Sequence, residues 1–240
     1  MPIQLKTAVT LMAIISLLLS FRLQASGNRV DKVYHPYVMP QETEVELRSI
    51  AQFDKNPSLD NQQTNRAGLG YSFIENVFTE AYLIGKNTPN DDFDLDAIEL
   101  EAKVQLTEQG EYDEDWGLLF EYSKGFGTTI NRFSSGLLVD KEMGRWTGAL
   151  NLFLKYEWGK GFKNEFDNSL TSQLRYRYSR LFEPAVEFYQ SQNTTAIGPA
   201  IMGNIRFAHA KKLHWETGLI FGLRASTPDQ TLRLLLEYEF

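Results

Sequence analysis

Charged side chains recur at every second position along much of this chain. Glu99-x-Glu101-x-Lys103, Lys155-x-Glu157, Arg175-x-Arg177, Glu183 with Glu187, and Arg233 with Glu237 all keep that spacing, and Glu121, Arg206 and Glu216 fall in similar surroundings. Two carboxylates brought together can act as acid and base, and carboxylates facing guanidinium groups can sort ions. The residue types narrow the choice. There is no cysteine, so there is no thiol nucleophile, disulfide or thiolate metal site. There are three histidines, His35, His209 and His214. Ser/His/acid catalysis needs a histidine within hydrogen-bond reach of a serine, and none of the three falls mid-strand beside one. His214 and Glu216 share a face, a spacing that also suits a histidine satisfied at a turn. No nucleophile–base pair is legible, and the chain does not read as an enzyme.

The segment Asn90-Asp91-Asp92-Phe93-Asp94-Leu95-Asp96 concentrates carboxylates at alternate positions, which suits Ca²⁺. The EF-hand order needs a glycine at the sixth position and a glutamate at the twelfth, and Ala97 follows Asp96 instead. A solvated acidic loop is the plainer reading. A net charge of −7 without a basic stripe argues against a nucleic-acid partner. No spacing typical of a metal or cofactor site is present, and no cofactor is expected.

These residues need elements that hold them two apart on one face. Arg145 to Trp158 shows the pattern best. Trp146, Gly148, Leu150, Leu152, Leu154, Tyr156 and Trp158 lie on one face, and Arg145, Thr147, Asn151, Lys155 and Glu157 on the other, with Phe153 the exception. Ile98 to Leu106 and Leu232 to Phe240 repeat the alternation, although Leu235 sits on the polar face. Weaker versions near 44–54, 64–74, 77–85, 116–123, 132–140, 169–179, 182–190, 197–208 and 213–224 bring the total to twelve strands, with ten the alternative. From Trp146 to Trp158, twelve steps of about 3.3 Å tilted by about 45° rise roughly 28 Å, the height of an apolar membrane band with a girdle at each edge. A soluble β-sandwich also alternates, but its strands run nearer five or six residues.

The expected fold class is all-β: an antiparallel up-and-down transmembrane β-barrel over 44–240. Short turns should lie at the end holding both termini and longer loops at the other, including 86–94 and 159–168. Residues 1–25 read as a signal peptide, with Lys6 ahead of an apolar run to Phe21 and Leu23-Gln24-Ala25 as the cleavage site. Residues 26–43 read as an extended periplasmic arm, or alternatively as a plug entering the barrel. The signs of the inward charges nearly cancel, so a paired network filling the lumen is expected. The sharper alternative is a constriction in which Arg175 and Arg177 face glutamates, with Arg175 near Glu187, give or take two residues.

The terminal Tyr238-x-Phe240, with alternate apolar residues before it, resembles the C-terminal signal of bacterial outer-membrane β-barrel proteins. Val33-Tyr34-His35-Pro36-Tyr37-Val38 is similar to the start of a group of uncharacterised proteobacterial barrels. The resemblance implies the bacterial outer membrane, with its lipid and lipopolysaccharide and the barrel-assembly machinery as partners. It implies a narrow channel or binding barrel for an unknown small solute, or a plugged structural barrel acting through loops and lipid contacts.

Overall fold

A computed structural model describes residues 30–57, 60–88, 91–209 and 211–240. The expected signal peptide lies outside them. Twelve strands follow in order: β1 (Thr43–Phe53), β2 (Gln62–Ile74), β3 (Val77–Thr88), β4 (Asp91–Gln105), β5 (Asp115–Gly125), β6 (Asn131–Met143), β7 (Trp146–Gly159), β8 (Phe162–Tyr176), β9 (Glu183–Ser191), β10 (Thr195–Arg206), β11 (Lys212–Gly222) and β12 (Gln230–Glu239). Each is antiparallel to its neighbour, and β12 returns to β1, so the barrel is closed. Closure leaves no sheet edge, which matters where no water is present to satisfy backbone groups. The closing ladder runs from Glu44 opposite Glu239 to Phe53 opposite Gln230. Thr43 and Phe240 then exchange backbone hydrogen bonds of 3.2 and 2.9 Å. An even strand count therefore brings the start of β1 and the end of β12 to one end of the barrel, the termini end.

The period-two pattern sorts the side chains inside out. On β7 Thr147, Ala149, Asn151, Phe153 and Glu157 are buried inward, while Trp146 and Leu154 stand exposed on the outer wall. The same holds around the barrel. Leu47, Leu69, Leu100, Leu174, Leu234 and Leu236 are exposed outward, whereas Glu46, Arg48, Glu187 and Arg233 are at most 2% exposed inside. A soluble sandwich would do the opposite, so this pattern decides between the two β architectures. Two aromatic rings edge the apolar belt. Trp146 with Tyr176 (4.9 Å) and Tyr238 with Phe240 (5.6 Å) mark the termini end. Tyr156 with Trp158 (5.4 Å) and Phe166 (4.5 Å) mark the far end.

Loop lengths depart from expectation. The segment 86–94 is mostly strand: β3 runs to Thr88 and β4 begins at Asp91, with Lys86 bonded to Asp96 at 2.8 Å. Likewise 159–168 is a tight turn at Lys160-Gly161 followed by β8, and Gly161 takes a φ of 76° that favours glycine. Above the membrane both faces of a strand meet water, so polar residues there hide the alternation. The link 106–114 at the termini end is long, an exception to the short turns there that the polar run Gln109–Asp115 already signals.

Candidate functional site, a lumen occupied by residues 30–38

Residues 30–38 lie inside the barrel rather than free below it, with Val30, Val33, Tyr34 and Val38 buried against the inner wall. The plug alternative is therefore what these residues adopt. Near the termini end the Val38 amide donates to Gln105 Oε1 (2.7 Å), and the Tyr37 hydroxyl donates to Asp115 (2.8 Å). His35 Nδ1 lies 2.7 Å from Asp140. Pro36 presses on β5 where Gly117 stands; a Cβ there would come within 2.8 Å of the proline ring. Further in, the Tyr34 amide donates to Asn151 Oδ1, and Asn151 Nδ2 donates back to the Tyr34 carbonyl, both at 2.8 Å. The Tyr34 hydroxyl donates to Glu101 at 3.0 Å, and its ring meets Phe153 edge-on at 6.0 Å.

Two ionic nodes hold the tip of the segment. In one, Asp31 pairs with Arg48 and, at 3.4 Å, with Arg66. Arg48 also pairs with Glu46 at 2.8 Å, and Lys32 bridges Glu46 to Glu237 (3.2 Å). Burial opposes ionisation of Asp31, but the Arg48 and Arg66 guanidinium groups outweigh it and hold the carboxyl well below the usual carboxylate range. In the other, Arg233 is fully buried and donates to Glu187 (2.8 Å), to Glu216 (2.9 Å) and to the Asp31 carbonyl. The Tyr189 hydroxyl lies 2.6 Å from that carbonyl as well. Buried charges left unpaired are costly, so these nodes fix where the segment sits.

Above the segment, toward the far end, remains a cavity of about 270 Å³. Val30, Asp31, Lys32 and Tyr34 form part of its floor, and Glu99, Glu121, Arg132, Lys155 and Glu157 stand in its walls. Glu157 pairs with Arg132 at 3.1 Å and with Lys155.

Of the residues singled out in the sequence, Glu99, Glu101, Glu157, Glu187, Glu216 and Arg233 are buried inside, and Lys103, Glu121, Lys155, Glu183 and Glu237 are part-buried there. Lys103 lies over the Phe78 ring at 5.5 Å. The arginine ladder does not form one constriction. Arg175 is aligned with Ala185, two residues from Glu187, and pairs with Glu183 at 3.4 Å. Arg177 turns to Glu142 at 3.1 Å on the rim, and Arg206 is exposed at the same end. The cations around the tip of the segment are instead Lys32, Arg48, Arg66 and Arg233. His214 does meet Glu216, at 2.9 Å, and Asn204 at 3.1 Å, with no serine among its partners. The sequence reading missed Asp31, Lys32, Tyr82 and Tyr189. The available signal was the apolar intruders on polar faces, Phe153 and Leu235, which pack inside.

No protein-family model matches the sequence, and no curated protein matches it. Solved structures do. An outer membrane channel from Pseudomonas putida F1 aligns over 88% of this chain and 99% of its own, with TM-score 0.56 and 13% identity. The KdgM porin aligns over 82% and 99%, with TM-score 0.53 and 12% identity. The β domain of the Bordetella autotransporter BrkA aligns over 83% and 99%, with TM-score 0.50 and 8% identity. The chain is a β-barrel of the outer-membrane type. The fold and the apolar belt together place it in the bacterial outer membrane, with the belt against lipid. Channels and an autotransporter share this architecture, so its use must be argued from the lumen.

Proposed function

We propose that the chain is an outer-membrane channel for small solutes, closed at rest by residues 30–38. One observation carries this reading: the segment is a separate strand of chain laid in the lumen, fixed by hydrogen bonds and ion pairs beside two small apolar clusters around Val30, Val33 and Tyr34, with a cavity already open above it. None of these contacts belongs to the strand ladders, so in this reading the segment undocks without unfolding the barrel. In this reading Arg48, Arg66 and Arg233 then line the passage and set its selectivity against Glu46, Glu187 and Glu216. A structure of the KdgM porin in complex with disordered oligogalacturonate is of the same fold, which supports passage of extended polar molecules. The reading includes export through residues 1–25, assembly through the Tyr238 and Phe240 signal, and a periplasmic termini end.

The test uses the absence of native cysteine. A pair of cysteines at positions 34 and 151 should lock the segment when oxidised. Single-channel recording of the folded protein is expected to show silence when oxidised and discrete, salt-dependent steps when reduced. Silence in both states, with a folded barrel, would favour a permanent plug. That second reading, a structural or interaction barrel, is favoured by the full burial of Arg233 against two carboxylates and the segment's own carbonyl.

A further inference from the structure

The cavity above the segment is charged throughout and yet balanced. Among the described residues its lining carries five cations and five anions. Most are paired within the walls: Arg66 with Glu99 and, at 3.4 Å, with Asp31; Arg132, at 3.1 Å, and Lys155 with Glu157; Lys86, at 2.8 Å, with Asp96 nearest the far end. Lys32 and Glu121 complete the two sets. An ionised guest would leave one charge uncompensated in an enclosed space, which is costly. A neutral guest with hydroxyl groups would meet donors and acceptors on every side. Hydrogen-bonding capacity is also left over. Ser134, on β6, is aligned with Glu121 on β5 and with Lys155 on β7, and its buried hydroxyl has no partner among the described residues. The buried Nε of Arg66 has none either. Phe153, Ile50 and Ile84 add apolar patches to the same lining. The volume of about 270 Å³ lies below the roughly 300–1,000 Å³ of pockets for drug-sized ligands, and equals about nine waters at ~30 Å³ each.

We propose that this cavity binds a single uncharged sugar ring. A pyranose carries hydroxyls around its edge, each able to donate and to accept, and C–H groups on its two faces. The edge suits the charged pairs, the Ser134 hydroxyl and Arg66 Nε. The faces suit the Phe153 ring and the two isoleucines. Side chains already held in pairs lose little freedom when such a guest arrives, so less of the binding energy is spent on ordering them. As the first stop of a solute entering from the far end, the site rests on the channel reading. Its floor includes Asp31, Lys32 and Tyr34, so it exists while the segment is docked, and its occupancy can be measured without conduction.

Calorimetric titration of glucose, glucuronate and glucosamine into the folded full chain in detergent at pH 7 tests this, because the three share a ring and differ in charge. The expected result is one glucose per chain, with the two charged sugars about tenfold weaker or worse. Ser134→Ala should weaken glucose about 2- to 12-fold without moving the thermal midpoint, since that hydroxyl bonds to nothing in the protein. Glu157→Gln leaves Arg132 and Lys155 in excess and should reverse the preference, so that glucuronate binds better than glucose. No glucose binding by the folded parent, equal binding of the three sugars, parental affinity in Ser134→Ala or parental preference in Glu157→Gln would overturn the assignment. A silent barrel that still binds glucose would overturn the channel reading and leave the sugar site standing.

Discussion

The Tyr34 main chain and the Asn151 side chain exchange two hydrogen bonds, so one lumen residue grips both polar groups of one residue in the segment. Thr171 donates to the same Asn151 oxygen at 3.1 Å and fixes its orientation. Asn151→Ala removes both bonds and leaves the barrel wall intact. At about 0.5–1.5 kcal/mol per bond, the undocked population should rise roughly 5- to 150-fold. Channel recordings should show more frequent openings, and an unchanged open probability would count against the gating role.

Acid should open the lumen. Docked, the Asp31 carboxyl sits well below its ordinary range; undocked, it titrates near pH 4. The lowered value means that docking is favoured above about pH 4, and that this contribution is lost as the pH falls below it. Conductance measured from pH 7 to pH 3 should rise at the acid end. Asp31→Asn should be open already at pH 7 and flatten that response. A variant with the parent's pH profile would remove Asp31 from the account.

Arg233→Leu should destabilise the whole barrel, not only the segment. It leaves Glu187 and Glu216 buried and facing each other without their shared cation. Breaking a buried pair from one side costs about 3–5 kcal/mol. The urea midpoint of the folded form should fall accordingly, and an unshifted midpoint would show that the node is dispensable.

Leu152 lies on the outer face of β7, midway between the two girdle tryptophans, Trp146 and Trp158. Leu152→Arg places a charge near the bilayer midplane, at about 2–4 kcal/mol. Membrane insertion should fail or drop sharply, whereas normal insertion would contradict the assigned faces.

The strands were legible because each carries its own evidence: β7 alternates from Trp146 to Trp158, broken only at Phe153, without help from elsewhere in the chain. The segment 30–38 has no such signature. Its partners are far off in sequence, with Tyr34 and Asn151 separated by 117 positions, and no local period encodes them. Phe153 and Leu235 look like defects in an otherwise polar face until something apolar lies inside to receive them. The arginine ladder was misjudged because spacing gives the face but not the height, and Arg177 lies at the rim where Glu142 is nearer than any lumen acid. Lys86 to Asp94 looked like loop because water, not lipid, surrounds those strand tips.

The closing ladder between β1 and β12 dictates an order of assembly. Residues 30–38 are synthesised early and the closing strand last, yet Arg233, on that strand, holds the Asp31 carbonyl. That grip is complete only once β12 has paired with β1, so the last hairpin, β11 with β12, both shuts the wall and completes the clamp on the segment. Such sequence-distant contacts make a slow, all-at-once final step.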